Sequence, residues 1–158
     1  MLIRGVNPET GDVYEAKAKK MDNNFLKFLK DFEMSENGIQ RLIENLNISA
    51  DAKSLLFSFS KATIKVGEYV IKVGRKIIDI VSKICKEFPS ATFGVIFGAV
   101  AGFLVSSVPI IGVVLGPVLT PLAIAAGLIL GLVEDIKDKA LLRKIKEAQA
   151  SFSPLEAN

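Results

Sequence analysis

The sequence predicts a mainly α fold: a long amphipathic helix followed by an apolar helical hairpin, with a small β-hairpin at the amino terminus. Three observations carry this. Half of the 158 residues are hydrophobic, and the excess is concentrated in residues 88 to 133, a run of 46 residues without Asp, Glu, Lys or Arg. Apolar residues before that run recur in steps of three and four, the period of an amphipathic helix. Pro109, Pro117 and Pro121 interrupt the run near its middle, where a helix is expected to break.

Leu2 to Val6 and Val13 to Ala16 are short β-prone stretches around Asn7-Pro8-Glu9-Thr10-Gly11-Asp12, a segment rich in turn residues, so a hairpin is expected. Asp22 is placed to cap a helix carrying Phe25, Leu26, Phe28, Leu29 and Phe32, and Ser35 a second one with Ile39, Leu42, Ile43 and Leu46. Both are short amphipathic segments that need a partner to pack against. They complete an amino-terminal module of residues 1–50, which could also bind a protein partner.

From Ala50, with Ser49 as N-cap, to about Phe88 the apolar positions Leu55, Phe59, Ala62, Val66, Tyr69, Val73, Ile77, Ile80 and Ile84 predict one helix of nearly forty residues. Gly67 and Gly74 would weaken it by up to about 1 kcal/mol each. This basic segment, 51–87, carries Lys61, Lys65, Lys72, Arg75, Lys76, Lys83 and Lys86 and leads directly into the apolar run, the placement expected of residues that meet anionic lipid headgroups. Residues 53 to 86 hold eight basic side chains against Glu68 and Asp79, whereas residues 1 to 52 hold seven against nine acidic ones.

The apolar run, 88–133, would extend roughly 69 Å as one helix, more than twice the approximately 30 Å hydrocarbon core of a bilayer. A hairpin is therefore expected, with arms from Phe88 to Val108 and from Val118 to Val133. The irregular reversal between them contains Pro109, Gly112, Gly116 and Pro117, with Pro121 just beyond. Gly94, Gly98 and Gly102, then Gly127 and Gly131, recur at four-residue spacing. Small residues so spaced let helix backbones approach closely, either between the arms or between subunits of a homo-oligomer. The run's 24 Leu, Ile, Val and Phe residues make insertion favourable by roughly 7 to 14 kcal/mol before polar and proline costs. With no Trp, and neither Tyr14 nor Tyr69 in the run, the interfacial aromatic belt is missing, which favours conditional insertion from a soluble state.

Residues 134–158 return to charged helix through Phe152, with Ile136, Leu141, Leu142 and Ile145 as its apolar positions, and end in a short mobile tail. Basic residues flank both ends of the hairpin, so both termini are expected on the cytoplasmic side of an inner or cytoplasmic membrane. Met1 to Pro8 lacks the apolar core of a secretory signal, in keeping with cytoplasmic synthesis.

The chain has no His and one Cys, which removes the commonest general base and metal ligand and any internal disulfide. No catalytic, cofactor-binding or metal site is expected, and Cys85 reads as a packed thiol. Gly67 to Lys76 lacks the spacing of a phosphate-binding loop, and no aromatic interleaving accompanies the basic residues, so nucleic acid is not an expected partner. In outline, residues 50 to 150 resemble the membrane-inserting part of colicin-type pore-forming domains and are similar to phage holins and ejection proteins. The glycine faces, the apolar hairpin and the basic helix before it lead to the expectation of a small helical protein that oligomerises and forms a pore or permeabilises a membrane. A membrane anchor or scaffold, and a soluble virion or shell component whose hairpins bury one another, are the alternatives.

Overall fold

The computed structural model describes residues 1–18, 21–127 and 136–156. The chain is mainly helical with one small antiparallel sheet, as its sequence predicts. Strands β1 (Leu2–Val6) and β2 (Val13–Lys17) form the expected amino-terminal hairpin. Asn7 organises its turn, its side-chain oxygen accepting from the amides of Glu9 and Thr10.

Helix α1 (Asn23–Lys30) starts where Asp22 accepts from the Phe25 amide, and α2 (Glu36–Asn45) where Ser35 accepts from Gly38. The Ser49 hydroxyl caps α3 (Ala50–Ser60) through the Ala52 amide. All three caps sit where the sequence puts them, because a short side-chain oxygen before an apolar-periodic run satisfies an otherwise orphaned amide.

The single long helix from Ala50 to Phe88 does not form. After α3 the chain makes strands β3 (Ile64–Val66) and β4 (Tyr69–Ile71) and only then enters α4 (Val73–Glu87). The cause is tertiary pairing. Strand β3 binds the free edge of β1, giving a four-stranded sheet in the order β2-β1-β3-β4, and Ile64, Val66 and Ile71 point into the core with period two. Gly67, at φ +60°, opens the two-residue turn between β3 and β4 at the position that a type II′ turn reserves for glycine. The amino-terminal hairpin is thereby built into one sheet with residues 64–71.

The apolar hairpin consists of α5 (Phe93–Ser107) and α6 (Pro109–Ala126). Its reversal is much tighter than the sequence suggests: buried Val108 ends one helix and begins the next, with Pro109 at the first helical position, where a missing amide costs nothing. Gly112, Gly116, Pro117 and Pro121 lie inside α6 instead of in a loop. The two internal prolines are tolerated because their rings fall four residues apart on the outward face, Pro117 half-buried and Pro121 exposed, while Val114, Leu115, Leu119 and Leu122 hold the opposite face in the core. A Cβ at Gly112 would approach the Val105 carbonyl oxygen to 2.6 Å, so this glycine allows the two arms to close.

Helix α6 packs on α5, α3 and β1, while α5 packs on α4 and α7 (Lys139–Ala150). The hairpin thus occupies the middle of the molecule, sheathed by amphipathic helices and the sheet. The expected mobile tail is, through Glu156, anchored: Phe152 and Leu155 are fully buried, and the Phe152 ring meets Phe28 of α1 edge-on at 5.6 Å.

Candidate functional site

Both hairpin helices are apolar on every side, but the fold covers only part of them. Inward, Ile96, Phe97, Val100 and Leu104 of α5 meet Ile111, Leu115, Leu119 and Leu122 of α6 in the core cluster. Outward, Val95 is 49% exposed and Ile124 79% exposed, and Phe103, Val105, Val113, Pro117 and Val118 are half-buried. A helix without a polar face ordinarily is enclosed by protein or lipid, so this uncharged stripe is the feature of the surface most in need of a partner. Among the described residues only α6, at 18 residues, is long and apolar enough to cross a membrane; α5 has 15.

The glycines of the four-residue series take different places. Gly98 is buried in α5, and Gly94 and Gly102 are half-buried on the same helix. Gly127 is no packing residue: at φ +66° it closes α6 as a left-handed C-cap, with open space where a side chain would stand, the usual role of glycine after a helix. Gly131 lies outside the described residues. Phe93, Gly94 and Phe97 share a 290 Å³ cavity with Leu122 and Ala126, whereas Val105 meets Gly112 and Gly116, so the arms run side by side along their length.

The basic residues proposed for headgroup contact also divide. Lys61, at the end of α3, and Lys65, on β3, are exposed and stand with Arg4 around a groove of about 610 Å³ whose floor includes Val114 and Val118 of α6. Lys72 and Lys86 are exposed elsewhere, and Lys83 pairs with Glu33 at 3.2 Å. Lys76 and Arg75 are turned inward, which corrects the expectation that they meet lipid. Lys76 is buried and donates to the Asp31 carbonyl; Arg75 donates to the Met34 carbonyl at 2.9 Å and lies 4.0 Å above the Phe32 ring.

These two cations belong to a polar clasp that the sequence alone does not reveal. Buried Asp79 accepts from the amides of Glu33 and Met34 at 3.0 and 2.8 Å. Helix α4 thereby grips the segment linking α1 to α2 through four backbone contacts. The only available signal is an aspartate four residues before Lys83 and three after Lys76 on an otherwise apolar face. Burial holds the Lys76 ammonium below its ordinary value, against the opposing pull of Asp79 and Asp31. Burial also pushes the half-buried Cys85 thiol up, which disfavours the reactive thiolate.

Among the described residues no three Asp, Glu or Cys side chains gather in a metal-binding group. The arrangement offers surface chemistry instead: an apolar stripe on the hairpin and, at its flank, an apolar groove rimmed by cations. No protein family, curated protein or solved structure matches the chain.

Proposed function

We propose that this protein is a membrane-inserting helical protein in its closed form, which oligomerises and permeabilises a bilayer when the sheath around the α5–α6 hairpin opens. The observation that carries the proposal is the outward face of the hairpin: no charged residue from Phe88 to Gly127, and Val95 and Ile124 standing free in solvent. Lipid removes the apolar side chains of such a stripe from water with no charge to neutralise. The inward face is held by amphipathic helices that can trade their contacts with the hairpin for contacts with a membrane surface.

The test is release of an encapsulated dye from anionic phospholipid vesicles. The wild-type chain is expected to cause release that grows more than linearly with protein concentration. Val95→Glu/Ile124→Glu, which places two carboxylates on exposed positions, should keep its far-ultraviolet circular dichroism and its melting temperature but lose release about tenfold or more, since a charge in a spanning segment costs roughly 2.5 to 3.5 kcal/mol. Absence of leakage by the wild type at every pH tried sinks the proposal.

A second reading has its own observation. Most of the hairpin's inner surface is already covered within one subunit, so the remaining stripe is narrow enough for another copy to cover, as in a soluble shell. A detergent-free oligomer that dissociates in Val95→Glu/Ile124→Glu and never leaks vesicles would establish that reading in place of the first.

A further inference from the structure

The groove between β1, the end of α3, β3 and α6 has two kinds of wall. Val6 and Val70 from the sheet and Val114 and Val118 from α6 make an apolar trough, and Arg4, Lys61 and Lys65 stand on its rim. Among the described residues no carboxylate lines it. Arg4 is partly neutralised by Glu15 at 3.4 Å, but among the described residues Lys61 and Lys65 have no acidic partner. At about 610 Å³ the trough falls within the size range of small-ligand sites, which run from roughly 300 to 1,000 Å³.

The geometry points to a binding site for an anionic membrane phospholipid, its phosphate held by Lys61, Lys65 and Arg4 and one acyl chain lying against Val6, Val70 and Val118. Three features choose this occupant. The clustered cations call for a negative ligand, and an ammonium on a flexible stem meets phosphate well as a point charge. The apolar trough calls for a hydrocarbon tail joined to that charge, which a nucleic acid or a free phosphate does not have. Val118 is part of the hairpin's outward stripe, so a lipid seated here is continuous with the surface proposed to enter the bilayer. The inference rests on the membrane reading for the source of the ligand. It adds to that reading a defined first contact, in which the lipid is recognised by a preformed site before the hairpin moves.

The experiment uses the full chain, isotopically labelled, and dihexanoylphosphatidylglycerol kept below its micelle-forming concentration, so no bilayer is involved. Saturable amide shifts are expected at Arg4 to Val6, Lys61 to Lys65 and Val114 to Val118. Lys61→Gln/Lys65→Gln should weaken binding about tenfold or more while the rest of the spectrum is unchanged, and Lys86→Gln, which does not line the groove, should leave it as it is. Dihexanoylphosphatidylcholine should bind at least about tenfold more weakly than the glycerol lipid. Absence of saturable shifts, equal binding of the two lipids, or the same shifts from inorganic phosphate alone overturns the inference. A chain that binds the monomeric lipid but never leaks vesicles keeps this site and loses the proposed function; leakage without monomer binding does the reverse.

Discussion

Replacing Gly74 by alanine separates two pictures of residues 50–88 by the sign of its effect. In one uninterrupted helix the change is stabilising by up to about 1 kcal/mol, because glycine is the poorer helix former. In the observed fold Gly74 sits in the first turn of α4 directly against the end of α3. A Cβ there would rest on the Phe59 carbonyl, 2.9 Å from its carbon and nearer still to its oxygen. Carbon and carbonyl oxygen normally approach no closer than about 3.3 Å, so α4 would have to move off α3 by something over an ångström. The obstacle is backbone, not the end of a flexible side chain. The shift would also stretch the bond from the Gly74 amide to the Ala62 carbonyl, now 3.2 Å.

Overpacking a tight interior costs roughly 1 to 3 kcal/mol, and the rigid obstacle places this case at the upper end. After the propensity gain of about 1 kcal/mol is subtracted, Gly74→Ala should destabilise the protein by about 2 kcal/mol, or roughly 4 to 8 °C in melting temperature for a chain of this length. Urea unfolding followed by far-ultraviolet circular dichroism reads it, with Gly67→Ala as a companion. That glycine has a φ of +60°, where an alanine costs roughly 1 to 2 kcal/mol. If both variants unfold at the wild-type urea concentration or above it, the close α3–α4 contact and the β3–β4 turn are both wrong.

Three further outcomes follow from the packing. Because the Lys76 pKa is lowered by burial, folding bears the cost of a desolvated ammonium at neutral pH, and that cost falls as pH rises through the folded-state value toward the ordinary 10.5; the stability of the parent relative to Lys76→Met should therefore grow as pH rises toward 10.5 and level off above it. The comparison belongs in a Cys85→Ala background, since a thiol pushed above 9.0 gives the opposite slope, and a difference independent of pH would contradict the burial of Lys76. Phe152→Ala should cost about 3 to 5 kcal/mol, the range for a fully enclosed aromatic ring, whereas a loss below about 0.5 kcal/mol in a denaturant titration would return the carboxy terminus to a loose tail. Pro117→Ala/Pro121→Ala, on the outward face of α6, should raise the melting temperature and reduce vesicle leakage; unchanged leakage would show that the proline face has no part in it.

How far the fold can be read from the sequence depends on which interactions are local. Caps at Asp22, Ser35 and Ser49 are recognisable because each bond joins residues three apart. The hairpin of β1 and β2 is recognisable because its turn chemistry is contiguous. The segment 61–72 misleads because its apolar residues fit a helical step and a strand alternation equally well, and the deciding partner, the edge of β1, is some sixty residues away. In Ile64-Lys65-Val66-Gly67-Glu68-Tyr69-Val70-Ile71, β-branched residues flank Gly-Glu on either side, the signature of a two-residue hairpin. The prolines of α6 mislead for another reason: packing on three sides holds the helix through them. For the candidate site, sequence reasoning identifies Lys61 and Lys65 but cannot bring Arg4 beside them, because the β1–β3 pairing does that. It also treats Lys76, buried in the clasp, as equivalent to its exposed neighbours.

The same prolines set a condition on how the hairpin can meet lipid. A helical amide at position i donates to the carbonyl four residues earlier, so Pro117 and Pro121 leave the carbonyls of Val113 and Pro117 without intrahelical donors. Both belong to the outward stripe, where water can satisfy them in the closed form. In a hydrocarbon core each unpaired carbonyl costs several kcal/mol, enough together to cancel much of the roughly 7 to 14 kcal/mol that the apolar side chains contribute. A lone hairpin facing lipid with this stripe is therefore a poor end state. In the proposed oligomer the penalty falls where the proline faces of neighbouring copies pack on one another, with hydroxyl side chains or trapped water meeting the freed carbonyls. Within the proposed function, the features that make the hairpin marginal as a single membrane segment favour insertion as an oligomer.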